Sequence, residues 1–191
     1  MKERIAGLPG ISKSVLNTIV AGTFHSVFLR ILRSRGYEQR ILSNEKFKHI
    51  IIKVSEKSLD HANIGDFTRN PKTGEISKMK GGGHGQDNID FLKQNGIEYN
   101  IEKSYPNGVR VGNVPGHKSP GKRTGNGQAW FPENWSKEDI RKAGEYVTNV
   151  PEYKDIADGV TIFGDYNGVR IGVIKTNGEI GTVFPDNMLQ P

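Results

Sequence analysis

The sequence predicts an α+β fold in which antiparallel sheets, built from hairpins, pack with helices. Three observations carry this. Three Asn-Gly pairs, Asn107-Gly108, Asn167-Gly168 and Asn177-Gly178, each separate two strand-like runs. Both residue types tolerate the positive φ of a tight hairpin turn, so the flanking runs are expected to pair antiparallel. Among these runs lies one stretch with helical spacing, Ile140, Ala143 and Val147, opened by Ser136 with Asp139 three residues on. The chain is polar and turn-rich, 34% hydrophobic with 24 glycines in 191 residues, a length for one domain plus a short appendage.

Taken in order, Met1 to Ile11 shows no signal-peptide pattern. Val15, Leu16, Ile19, Val20, Phe24, Val27, Phe28, Ile31 and Leu32 then fall at helical spacing, between a start near Ser12 or Ser14 and a stop at Gly36. Asn17, Thr18, His25, Ser26 and Arg30 occupy the other face, which argues against a membrane span. A second helix is expected over Ser43 to Asp60, with Phe47, Ile50, Ile51 and Val54 on one side and His49 at the surface. Thr68 to Met79 reads as a turn-rich segment, with Asn70-Pro71 and Thr73-Gly74. Asp87 to Gln94 reads as a short helix ended by Asn95-Gly96. Strands are expected at Ile97 to Ser104, Val109 to Val114, Val160 to Phe163, Val169 to Lys175 and Glu179 to Phe184. The division is therefore a helical lead-in over residues 1–55, read as a linker from a longer protein, and a folded α+β domain over 56–191.

Charge is uneven. Residues 1–60 hold eleven Lys/Arg and five Asp/Glu, which accounts for the whole net charge of +6. From Lys103 to Thr124 there are five basic residues and no acid, a stretch suited to tracking phosphates. From Glu133 to Asp158 acids outnumber bases seven to four. There is no cysteine, which excludes disulfides and thiolate metal sites.

Four short pieces carry chemistry: His61-Ala-Asn-Ile-Gly65-Asp66, Gly81-Gly82-Gly83-His84-Gly85, the basic run Gly116 to Thr124, and Gly178 to Pro185. Two histidines and a lysine suit transfer of RNA's phosphodiester to its own 2′-OH. One neutral imidazole takes the 2′-OH proton, and a protonated one gives a proton to the departing 5′-oxygen. A cation offsets the negative charge gained in the transition state. Gly83 and Gly85, beside His84, allow close backbone approach and offer N–H groups to a phosphate. His117 is a rival: with His84 it could serve a metal-dependent nuclease, although no carboxylate–histidine cluster has metal-ligand spacing.

These pieces resemble the EndoU family of endoribonucleases. His61, Gly65 and Asp66 match its His-x-x-x-Gly-acid context, and His84 its glycine-preceded second histidine. Gly178, Ile180, Thr182, Phe184 and Pro185 match its C-terminal Gly-x-Ile-x-Thr-x-aromatic-Pro hairpin. Trp130 to Ser136 is similar to its Phe-Pro-x-x-Trp-Ser/Thr entry to a helix. The resemblance covers about residues 58–187. It implies an EndoU, barnase-like α+β fold with a groove shared by two sheets. It implies catalytic roles for His61, His84, Lys122 and Thr182, and substrate contacts from Lys118, Arg123, Gly83, Gly85 and Phe184. Lys118 and Lys122 both fit the family's lysine, and Lys122 is preferred as nearer the helix entry. Phe184 stands where the family often has Tyr, so it stacks on a base without donating a hydrogen bond.

The activity implied is metal-independent cleavage of single-stranded RNA, tRNA among the targets, to a 2′,3′-cyclic phosphate. No cofactor is implied, although stimulation by Mn²⁺ is left open. The bacterial members imply a toxin, secreted or delivered by contact and acting in the target-cell cytoplasm. The partners implied are RNA and a cognate immunity protein, with no stable membrane association. A metal-dependent DNase toxin and a non-catalytic basic RNA-binding module are the alternatives.

Overall fold

The computed structural model describes residues 51–153 and 155–191. The expected Val15–Leu32 helix, and residues 43–50 of the second expected helix, lie outside them. The described residues belong to one compact unit, Ile50–Pro191.

Helix α1 spans Glu56–Asn63; residues 51–55 of the expected helix are not helical, and α1 runs three residues past Asp60. Ser55 sets the start: its hydroxyl accepts the Ser58 N–H at 3.2 Å, satisfying one of the unpaired donors of a helix N-terminus. Val54, just before it, is buried and bridges in parallel to Ile180. Strands β1 (Asp66–Arg69) and β2 (Ile76–Gly81) form an antiparallel pair where only turns were expected. The anticipated turn is present between them, with Gly74 at φ +75° and its N–H donating to Asn70 O. Helix α2 (Gln86–Gln94) ends at Asn95, followed by Gly96 at φ +64°, as the Asn-Gly pair predicts.

Strands β3 (Asn100–Ser104), β4 (Arg110–Asn113) and β5 (Gln128–Trp130) form a second antiparallel sheet in that order. Strand β5 was not anticipated. It has only three residues, too short for its alternation to register. Helix α3 (Lys137–Thr148) opens with a complete capping box between Ser136 and Asp139. Strands β6 (Thr161–Tyr166), β7 (Val169–Thr176) and β8 (Glu179–Pro185) make the third antiparallel sheet.

The two hairpins of the third sheet turn at Asn167-Gly168 and Asn177-Gly178, with positive φ at all four residues. That is the twist-matched geometry expected of Asn-Gly. The third pair differs. Asn107 keeps a negative φ and only Gly108 is positive. Pro106 precedes it, and the Gly108 N–H donates to Tyr105 O at 2.9 Å, so this turn begins one residue earlier.

The larger core lies between the third sheet, α1 and α3 and includes Leu59, Ile140, Val147, Ile171, Val173 and Val183. Full burial of each such side chain contributes about 1.5–3 kcal/mol. Gly144 and Gly164 bring α3 close to the sheet: a Cβ on Gly144 would stand 2.5 Å from Val183, and one on Gly164 3.0 Å from Val147. A smaller core of Met79, Ile89, Leu92, Val114 and Trp130 ties β2 and α2 to β4 and β5. The fold is α+β: among the described residues there are three α-helices and three antiparallel sheets, none closed into a barrel.

Candidate active site

The segment 83–85 docks on the C-terminal end of α1. The last carbonyls of a helix lack intrahelical donors. Here His61 O, Ala62 O and Asn63 O accept the N–H groups of Gly83, His84 and Gly85 at 2.8, 2.6 and 2.9 Å. Only glycine allows this approach. A Cβ on Gly82 would lie 1.9 Å from His61 O, and one on Gly85 1.8 Å from the Asn63 side chain. Gly82 and Gly83 also adopt φ of +65° and +68°. The glycines around His84 therefore fix two histidine-bearing segments to each other. The amides of Gly83 and Gly85, expected to face substrate, are committed to α1.

His84 is buried, and its Nδ1 donates to Ala129 O at 2.7 Å. A carbonyl only accepts, so the neutral ring carries its proton on Nδ1 and keeps Nε2 as an acceptor. Burial, and then the nearby Lys122 charge, push its pKa well below the ordinary histidine value. His61 stands in the last turn of α1, with Nδ1 2.9 Å from Asp66 Oδ2 on β1. Its ring packs against Gly81 and Gly82, where added Cβ atoms would lie 3.4 and 3.0 Å from His61 Cε1.

Lys122 ends a short 3-10 turn, Pro120–Lys122. Its ammonium donates to Gln128 Oε1 at 2.6 Å, and burial lowers its pKa to about 8. The Gln128 side chain is fully buried on β5, and its Nε2 donates to Gly82 O and Gly83 O at 3.1 and 2.7 Å. One carboxamide thus joins the lysine loop to the glycine segment before His84. Thr182 and Phe184 lie two apart on β8 and so share a face. The Phe184 ring lies over Gly172, where a Cβ would be 2.4 Å from it, and 5.8 Å from the His84 ring centroid.

His61, Gly82, His84, Lys122, Thr182 and Phe184 line one cleft of about 300 Å³, together with Gly127, Ala129, Ile174, Pro185 and Asn187. Lys118 and Arg123, the other expected substrate contacts, are not among its lining residues. Lys118 is exposed, and the Arg123 guanidinium donates to His117 O and Lys118 O, bracing the loop. His117 is fully buried and accepts the Ser119 N–H at Nδ1. Among the described residues, no three or more of His, Asp and Glu cluster as a metal site.

A profile of the family described as bacterial EndoU nuclease matches residues 55–187. The chain belongs to that family. No curated protein and no solved structure matches it. In this EndoU nuclease the segments of His61, of His84 and of Thr182 and Phe184 meet at the cleft, whereas Trp130 to Ser136 contributes nothing to its lining. Sequence reasoning missed Gln128 and Asn187, and quoted Asp66 only as a motif match. Gln128 did carry a signal: it is a polar residue opening an apolar run, Ala129-Trp130-Phe131, and a buried amide there needs partners.

Proposed function

We propose that this EndoU nuclease is an endoribonuclease that cuts single-stranded RNA by attack of a 2′-OH on the adjacent phosphodiester. One observation carries the reading: His61, His84, Lys122 and Thr182, far apart in the chain, line one cleft. His84, held neutral with Nε2 as acceptor, takes the 2′-OH proton. The 2′-oxygen bonds to phosphorus and the bond to the 5′-oxygen breaks. His61, oriented by Asp66, gives its proton to that leaving oxygen. The products are a 2′,3′-cyclic phosphate and a free 5′-OH, and all atoms come from the RNA and two imidazoles. The Lys122 ammonium offsets charge on the phosphoryl oxygens. The Thr182 hydroxyl holds a base edge or phosphate oxygen, and Phe184 offers a stacking face.

The biological setting is a bacterial toxin, secreted or delivered by contact, acting on RNA such as tRNA in the target-cell cytoplasm and neutralised by an immunity protein. Mn²⁺ enters this reading only as a stimulator. No helix among the described residues is long and apolar enough to cross a membrane.

The test is incubation of the purified chain with total RNA, with and without EDTA, and mapping of the product ends. Cyclic-phosphate ends in both conditions are expected, and His84→Ala lowers the rate about 10²- to 10⁴-fold while folding persists. Cleavage of DNA that stops with EDTA overturns the reading in favour of a metal-dependent DNase. Tight, salt-sensitive RNA binding with no cleavage makes the chain a binding module.

A further inference from the structure

The β6–β7–β8 sheet has two unlike faces. Ile162, Ile171, Val173 and Val183 point into the larger core. The opposite face carries Phe163 and Asp165 from β6, Arg170 and Ile174 from β7, and Thr182 and Phe184 from β8. The register sets this: Asp165 pairs with Arg170, Gly172 with both Phe163 and Phe184, and Ile174 with Thr182. None of these six side chains is fully buried. Ile174, Thr182 and Phe184 line the catalytic cleft. The row does not end there. The Phe184 ring meets Phe163 edge-on, with centroids 6.4 Å apart at 86°, and the Arg170 guanidinium lies 5.0 Å over the Phe163 ring. Phe163, Asp165 and Arg170 then line a second cleft of about 370 Å³, walled by Tyr146, Tyr153 and Glu152.

The chemistry of this second cleft selects its ligand. Aromatic rings and a guanidinium plane are surfaces on which a flat ring stacks. The charge is wrong for phosphate: Arg170 is already paired through Nε with Asp186 at 3.0 Å, and Glu152 and Asp165 stand at the same cleft. Carboxylates accept hydrogen bonds, so the edge they favour carries amino donors. Adenine, cytosine and guanine have such an edge, whereas uracil has no amino group and offers only its N3–H, flanked by two carbonyls that a carboxylate repels.

We propose that this second cleft is a subsite for one base flanking the cut, reached by the strand as it passes from Phe184 to Phe163, and that it prefers an amino-bearing base over uracil. The subsite rests on the ribonuclease reading above for its substrate.

Two arms separate the two ideas. The first compares kcat/KM on a dinucleoside monophosphate with that on a hexanucleotide having one cut site and adenine or uracil flanks. The adenine-flanked hexanucleotide is expected to be favoured. Tyr146→Ala and Asp165→Ala are expected to lower the hexanucleotide-to-dinucleotide ratio about fivefold or more. Both side chains lie at the surface, Tyr146 being 58% exposed, so folding is spared. Phe163→Trp, which keeps the stacking surface, is expected to preserve the ratio, and Phe163→Ala to lower it. The second arm measures binding of the same hexanucleotides to the cleavage-deficient His84→Ala chain, with and without Asp165→Ala. If RNA is cut but the ratio and flank preference do not change in the variants, the subsite is wrong and the ribonuclease reading stands. If RNA is never cut, that reading fails, and the binding arm alone decides: adenine preference lost with Asp165→Ala supports the subsite, and equal binding of both flanks overturns it.

Discussion

At Lys122 the cleft holds an ammonium group that no carboxylate among the described residues pairs. Its acceptor is the neutral Gln128 amide, and burial brings its pKa to about 8. A neutral acceptor leaves the full positive charge for an incoming phosphate, at the cost of early proton loss. The rate on RNA is therefore expected to fall as pH rises through about 8, measured as kcat/KM so that the free protein's groups are reported. Lys122→Arg, which stays charged throughout, is expected to move that alkaline limb beyond the measurable range even if its fork geometry slows the reaction. A limb that stays near pH 8 in the arginine variant removes Lys122 from the assignment. His84 shows the opposite use of burial: it is held neutral, as the base of the proposed reaction must be, and its Nδ1 bond to Ala129 leaves Nε2 as the acceptor.

Among the elements, the docking of segment 83–85 on the end of α1 sets the geometry of both histidines. Gly82 and Gly74 separate its two costs. Both have positive φ, but a Cβ on Gly74 meets nothing within 4 Å, whereas one on Gly82 lands 1.9 Å from His61 O. Gly74→Ala is expected to cost about 1 kcal/mol in urea unfolding, the backbone term alone. Gly82→Ala is expected to cost more than about 3 kcal/mol, because the clamp itself is broken. Equal losses would mean that the contact with α1 contributes nothing. Gln128→Leu probes the other link. It strands the Lys122 ammonium and the carbonyls of Gly82 and Gly83, and each unpaired buried group costs about 1–3 kcal/mol. Its expected signature is a stability loss together with a fall in kcat. A variant as active and stable as the parent would make Gln128 a bystander.

For the molecule as a whole, burial of two imidazoles links stability to pH. Desolvation lowers the folded pKa of both His84 and His117 below the ordinary value of 6.5. Below that pH the unfolded chain binds more protons than the folded one, so stability falls as pH drops. The contribution is fully present above pH 6.5 and is lost on descent through the lowered values. Lys122 acts in another window: between about 8 and 10.5 the unfolded lysine holds a proton that the folded one has shed, so its contribution rises with pH there. Urea midpoints are expected to drop steadily from pH 7 to pH 5, before the carboxylates titrate. A flat midpoint over that range would show that neither ring is held neutral by the fold.

Local chemistry settled much of this protein in advance. The Asn-Gly turns of the third sheet, the Ser136–Asp139 cap, the Asn95-Gly96 stop and the alternation along β7 all act within a few residues, where sterics and hydrogen bonding need no distant partner. The resemblance likewise pointed to His61, His84 and Thr182, and to Lys122 ahead of Lys118 by its place nearer the helix entry, and all four line one cleft. Other features depended on pairing between segments. The β1–β2 pairing joins neighbouring segments whose residues read as turns, while the three-residue strand β5 and the Gln128 bridge emerge only when segments 45 or 46 residues apart share hydrogen bonds. The same tertiary contacts turned Gly83 and Gly85 from expected phosphate donors into a helix-docking strip, since a backbone N–H bonds to whatever acceptor the fold brings nearest.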